Sequence, residues 1–134
     1  MKVTHVEHIG IAVRNLEDAI AWYENVLGLK CYAVEEVPAQ SVRTAFFKAG
    51  QTKIELLEST APDGPIGKFI AKRGEGIHHV AYGVEGLEAA LDEAQTKGVE
   101  LIDARPKKGA EGMETGFLHP RSTFGVLTEL CEKP

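Results

Sequence analysis

Gly76-Ile77-His78-His79-Val80-Ala81-Tyr82-Gly83-Val84 is one half of an echo. His8-Ile9-Gly10-Ile11-Ala12-Val13 reads the same way 71 residues earlier, a histidine opening an apolar run that ends in valine. Leu16 and Leu87, again 71 apart, begin the segments that follow. The closing segments also match, Ile54-Glu55-Leu56 against Thr128-Glu129-Leu130, with the glutamates 74 apart. A repeat with one histidine and one glutamate per copy supplies two imidazoles and two carboxylates, a donor set for a divalent cation. His8, Glu55, His79 and Glu129 are therefore the candidate metal ligands, and the fold must be whatever brings them together.

The 134 residues make one domain by size, with a first repeat over about 1–60, a connector over about 61–75 and a second repeat over about 76–134. A chain of this length buries roughly 68% of its unfolded surface. Fifteen basic against 20 acidic residues give a net charge of −5, which argues against a nucleic-acid partner. No apolar run approaches the ~20 residues that span a bilayer, so no membrane role is expected. Met1-Lys2-Val3-Thr4 runs straight into the first strand and leaves no room for a signal peptide. Cys31 and Cys131 each lie in or beside an apolar run, as buried thiols of a reduced, cytoplasmic protein do.

His5 to Val13 is rich in apolar and β-branched residues and reads as a strand. Asn15 then offers a helix N-cap, with Glu17 and Asp18 in the first turn. Leu16, Ala19, Ile20, Tyr23, Val26 and Leu27 recur at helical spacing over 16–27, and Gly28 ends the helix. Trp22 and Tyr23 on this helix read as core. Strands follow near 30–37, 41–49 and 52–59, so the first half is βαβββ. A short helix through Ile66, Phe69 and Ile70 stops at Gly74 and has no counterpart later. The second half repeats the plan. It has a strand at His78–Val84, a helix carrying Leu87, Ala90, Leu91 and Ala94 closed by Gly98, and strands at Val99–Ala104, Glu114–His119 and Val126–Glu132. Arg105–Met113 reads as a loop. The fold class is α+β, two βαβββ repeats pairing about a pseudo-twofold into a curved mixed sheet around a metal site.

Alternation along a strand turns Glu55 and Glu129 away from their apolar neighbours. A carboxylate on a concave sheet face is costly unless it is paired or bound to a cation. A lone strand histidine or glutamate is most simply structural; the same two types at equivalent places in both halves are not. Imidazole and carboxylate donors without thiolates suit Co²⁺, Mn²⁺, Ni²⁺, Zn²⁺ or Fe²⁺ and not a closed structural zinc site.

These residues carry a resemblance. The paired repeat with His and Glu on one face resembles the vicinal-oxygen-chelate (glyoxalase-like) superfamily, and within it the methylmalonyl-CoA epimerases. The matching stretches are His8–Val13, Thr52-Lys-Ile-Glu-Leu-Leu-Glu58, Pro65-Ile-Gly-Lys-Phe-Ile70, Gly74-Glu-Gly-Ile-His-His79, Phe117-Leu-His-Pro120 and Gly125-Val-Leu-Thr-Glu-Leu130. The resemblance puts the ligands on His8, Glu55, His79 and Glu129, turns His78 to the other face, and implies a divalent metal, Co²⁺ foremost, in a cytoplasmic homodimer acting on an acyl-CoA. The implied reaction interconverts the epimers of methylmalonyl-CoA by 1,1-proton transfer through a metal-stabilised enolate.

Glu129 is one proton carrier by this resemblance. Relatives often carry a second glutamate in the strand before Glu55, where Val42-Arg43-Thr44-Ala45 places threonine, and often have glutamine at Glu55 itself. The two departures together make Glu55 the second acid/base as well as a ligand. Lys72, Arg73, Lys107, Lys108 and Arg121 are available for the CoA phosphates, with nothing to choose among them. His5 and His119 read as structural. The nearest rival is a lactoylglutathione lyase (glyoxalase I), kept open by the carboxylate at Glu55. A ligand-binding member of the fold without catalysis is the other, and such members commonly lack the full donor set. Extradiol dioxygenases want only one glutamate beside two histidines.

Overall fold

The computed structural model describes residues 1–134. Its elements run β1 (Lys2–Ala12), α1 (Leu16–Leu27), β2 (Cys31–Val37), β3 (Val42–Ala49), β4 (Thr52–Ser59), α2 (Pro65–Arg73), β5 (Gly76–Glu85), α3 (Leu87–Thr96), β6 (Lys107–Lys108), β7 (Glu114–Leu118) and β8 (Thr128–Glu132). This is βαβββ twice with α2 between, an α+β chain with parallel and antiparallel strand pairs. No helix is long and apolar enough to cross a membrane.

Two compact units divide the chain, His8–His78 and Met1–Glu7 with His79–Pro134. The boundary falls inside β1 and β5, at the two histidines of the echo. β1 therefore gives its second half to one unit and its first half to the other.

In the unit His8–His78 the strand order is β2-β3-β4-β1. β3 pairs antiparallel with β2 and with β4, and β1 runs parallel to β4 with His8 opposite Lys53, Gly10 opposite Glu55 and Ala12 opposite Leu57. One face is covered by α1, whose Leu16, Ala19, Ile20 and Tyr23 pack on Val13, Ala45, Phe47 and Leu56. Each such side chain taken fully from water contributes about 1.5–3 kcal/mol. On the other face α2 covers only one end, where Ile66, Phe69 and Ile70 meet Ala12, Val42 and Leu57. That leaves His8, Gly10, Thr44, Phe46, Lys48, Lys53 and Glu55 to form the rest of that face.

In the second unit the order is β5-β8-β7-β6. β5 and β8 are parallel with Ala81 opposite Glu129, and β7 and β8 antiparallel with Phe117 opposite Glu129 and Thr115 opposite Cys131. Leu87, Ala90, Leu91 and Ala94 of α3 pack on Val84, Leu118 and Leu130. The segment Met1–Glu7 lies along β5, where Thr4 Oγ1 donates to the Gly83 carbonyl at 3.1 Å. The His5 ring sits so close over Gly83 that a Cβ there would lie 2.5 Å from His5 Cε1, so only glycine fits.

Helix α1 starts and stops where the sequence says. The Asn15 side chain accepts from the Asp18 amide at 2.9 Å, and Gly28 takes φ 68° with its amide bonded to the Tyr23 carbonyl. A second device was not legible. Glu58 Oε2, at the end of β4, accepts from the Leu16 amide at 2.8 Å. Glu132, at the end of β8, accepts from Gly86 at 2.7 Å and Leu87 at 2.9 Å. Helix α3 begins on Gly86, which has no side chain to cap with, so a strand carboxylate does the capping from 45 or 46 residues away. The two amides hold the Glu132 carboxyl below the usual carboxylate range.

Four expectations need correction. Val99–Ala104 is not a strand: only Leu101 bridges Leu118, and the Asp103 carboxylate takes the Phe117 amide at 2.9 Å in place of a backbone carbonyl. The ladder to β7 is made instead by Lys107–Lys108, inside the stretch read as a loop. Trp22 is not core but 51% exposed, while Tyr23 stacks on Phe47 at 5.5 Å. The last strand starts at Thr128 and not Val126, because the Val126 carbonyl is taken by the Thr123 and Thr128 hydroxyls.

Candidate functional site

His8 and Glu55 share a face because their strands are in parallel register, with His8 two pairs along from the Glu55–Gly10 pair. Gly10 offers no side chain to fill the space, and Glu55 Oε2 comes to 3.2 Å from His8 Nδ1. Both are buried, at 6% and 5% exposure. Phe46, fully buried, is the other cross-strand neighbour of Glu55.

The second unit builds the same thing again. Glu129 lies between Ala81 on β5 and Phe117 on β7, and its Oε1 comes to 3.2 Å from His79 Nε2. Both residues are 6% exposed, and the Phe117 ring meets His79 edge-on at 5.5 Å. The Thr115 hydroxyl donates to Glu129 Oε2 at 2.5 Å.

The structural echo is thus wider than the sequence reading. Phe46 and Phe117 are 71 residues apart, as are Thr44 and Thr115, and each pair holds equivalent register positions beside the glutamate strand. Both threonines are 1% exposed. The signal was present as Thr44-Ala45-Phe46 against Thr115-Gly116-Phe117, too short to notice before the register was known.

Each half-site holds one imidazole nitrogen and one carboxylate, both buried. Each pair combines a carboxylate with an imidazole that ligates when neutral, donor types that suit a borderline divalent ion. His8, His79 and Glu129 each offer a buried ligand atom. The donor set fits a borderline divalent ion.

The other residues singled out from sequence have ordinary partners. Lys107 pairs with Asp103 at 3.2 Å, Lys108 with Glu114 at 3.3 Å and Arg121 with Glu100 at 3.6 Å. Lys72 and Arg73 close α2, with Arg73 over the Phe69 ring at 5.8 Å. The His78 ring meets Phe69 edge-on at 5.0 Å. His119 Nδ1 accepts from the Arg121 amide and caps a turn. Both cysteines are free, Cys131 fully buried and Cys31 half-buried.

Residues 7–117 match the family described as Glyoxalase/Bleomycin resistance protein/Dioxygenase superfamily. An uncharacterized Bacillus subtilis (strain 168) protein, YqjC, is 45% identical over 97% of this chain and 93% of its own. The ethylmalonyl-CoA/methylmalonyl-CoA epimerase of Cereibacter sphaeroides is 38% identical over 96% of this chain and 97% of its own. The chain belongs to the methylmalonyl-CoA epimerase family. A Streptomyces coelicolor family member, an S115T variant solved in complex with 2-nitronate-propionyl-CoA, is similar with a TM-score of 0.95 and 36% identity. It covers 98% of this chain and 96% of that one, so the fold is the glyoxalase-like fold of this enzyme family.

Proposed function

We propose that the protein is a divalent-metal-dependent epimerase that interconverts the two epimers of methylmalonyl-CoA. The observation that carries this is the pair of equivalent, buried His–Glu half-sites, one in each repeat of an epimerase-family chain. His8, Glu55, His79 and Glu129 would hold the cation, with Co²⁺ the first choice and Mn²⁺, Ni²⁺ or Zn²⁺ serving the same donors. A bound cation supplies Lewis acidity, easing negative charge at the thioester oxygen as the α-proton leaves.

The chain's own residues supply the rest. Inversion by 1,1-proton transfer needs one group to take the proton and another to return it from the opposite face. Glu129 and Glu55, one per repeat, are the carboxylates assigned to those tasks. Thr115 on Oε2 and His79 beside Oε1 fix the Glu129 carboxylate in place, which spares it reorientation when a proton moves. Phe46 and Phe117, flanking the two glutamates, keep the carboxylates out of bulk water and so strengthen their electrostatics.

One epimer of methylmalonyl-CoA, incubated with Co²⁺-loaded protein in D₂O, tests the reading. Deuterium enters the α-carbon as optical purity falls. Retention of both proton and configuration overturns it, and turnover of a glutathione hemithioacetal instead selects the lyase reading that the Glu55 carboxylate favours.

A further inference from the structure

Both backbone polar groups of Phe117 point away from β8. Its carbonyl accepts from the Ile102 amide at 2.9 Å and the Asp103 amide at 3.3 Å, and its amide donates to Asp103 Oδ2 at 2.9 Å. Phe117 and Glu129 are therefore opposed without backbone bonds between them, the kind of pair whose side chains approach most closely. Asp103 Oδ1 is engaged as well, at 3.2 Å from Lys107 Nζ. Lys107 stands opposite Thr115, two residues from Phe117, so all three side chains project from one face. The Lys107 ammonium lies over the Phe117 ring at 5.2 Å from its centre, and that ring meets His79 edge-on at 5.5 Å. One carboxylate thus grips Phe117 twice, by its amide directly and by its ring through a lysine.

The grip belongs to the second repeat alone. The positions 71 residues before Asp103 and Lys107 hold Tyr32 and Glu36, neither an aspartate nor a lysine. There Phe46 has an ordinary ladder partner, Ala33, and an aromatic neighbour, Tyr32, at 5.9 Å. The first βαβββ unit is built without such a clamp, so the fold plan does not account for it. Helix α3 already sets the strand from behind: a Cβ on Gly116 would lie 2.8 Å from Leu91 Cδ1, so β7 is pressed onto the helix. What that contact leaves free is the turning of the Phe117 ring, and the ammonium over its face takes up that freedom.

We propose that Asp103 and Lys107 are positioning residues for the reaction, holding the Phe117 ring against His79 so that the imidazole and the neighbouring Glu129 carboxylate keep one orientation. This rests on the reading of His79 and Glu129 as working groups of an epimerase. An imidazole free to turn offers its nitrogen to a cation only part of the time. A carboxylate free to turn must be reoriented before a proton moves. The ring on one side of His79 removes the first freedom. The 3.2 Å contact between His79 Nε2 and Glu129 Oε1 passes that order to the carboxylate.

Three variants separate positioning from other roles. Lys107→Met keeps the stem and removes the ammonium, Lys107→Arg keeps a cation for the ring, and Asp103→Ala releases amide and lysine together. With Co²⁺-loaded protein and one epimer of methylmalonyl-CoA, kcat falls about tenfold or more in Lys107→Met and Asp103→Ala while KM stays near the wild-type value. Lys107→Arg recovers most of the loss. An unchanged kcat, or a raised KM at constant kcat as from a lysine that held a substrate phosphate, overturns the proposal. Proton NMR of the His79 ring in metal-free protein reads the orientation without activity. The Phe117 ring current displaces these signals in wild type, and Lys107→Met and Asp103→Ala shift them while Lys107→Arg shifts them least. His79 signals at wild-type positions in Lys107→Met overturn the proposal even where kcat has fallen, and this variant alone decides should Asp103→Ala fail to fold. Wild-type protein that inverts neither epimer overturns the epimerase reading instead, and the NMR comparison still decides the clamp.

Discussion

Thr115 Oγ1 donates a hydrogen bond to Glu129 Oε2 at 2.5 Å, between two side chains that are 1% and 6% exposed. A buried carboxylate stripped of a donor bears the full desolvation of that oxygen. Thr115→Val keeps the shape and removes the hydroxyl, and should cost about 1–3 kcal/mol of unfolding free energy in urea titrations. Thr115→Ser, which keeps the donor, should recover most of it. Equal midpoints for Thr115→Val and wild type would show that the contact does nothing for the fold.

Glu132 gives a stability effect whose pH dependence has a definite sign. Its folded-state carboxyl lies below the usual range because the Leu87 and Gly86 amides donate to it. A depressed pKa means that the charged form stabilises the fold above the unfolded value of about 4.3, and that this is lost as pH falls through the folded value. Glu132→Ala should therefore destabilise by about 0.5–2 kcal/mol at pH 7, the range for a lost helix cap. The gap to wild type should narrow below about pH 4. A gap that stays constant through acid would remove the charge from this explanation.

Glu55→Gln keeps an oxygen able to ligate and removes the carboxylate proposed as the second proton carrier. Inversion of methylmalonyl-CoA should fall about a hundredfold or more, the scale of general acid–base catalysis. Exchange of the α-proton of one epimer should persist, because the proposal leaves Glu129 to take it from one face. Metal content measured alongside separates loss of a carrier from loss of the ion. Full inversion with metal retained would exclude Glu55 as the second carboxylate.

The sequence was most legible where a local device sets the structure. Asn15, the apolar spacing to Leu27 and Gly28 bound α1 at the observed residues, because cap, stripe and stop all lie within the helix. The His–Glu pairs were legible because a repeat supplies its own control: what occurs once is noise, and what recurs at the same place is constrained. What failed depended on distant partners. Asp103 takes the Phe117 amide, 14 residues on, so Val99–Ala104 has a strand's composition but keeps only a single bridge, Leu101 to Leu118. Glu58 and Glu132 reach helix starts 42 and 45 residues back, which nothing in a local window reveals. Thr44 reads from sequence as a departure from the family. Register adds that it is the counterpart of Thr115.

The central claim is that the two half-sites serve one cation. Calorimetric titration of metal-free protein with Co²⁺, on wild type, His8→Ala and His79→Ala, tests it most directly. One ion per chain should bind wild type, and either substitution alone should weaken binding about a hundredfold or more, since each removes a ligand from the same centre. Two ions per chain, or a His79→Ala protein that binds Co²⁺ as tightly as wild type, would contradict it.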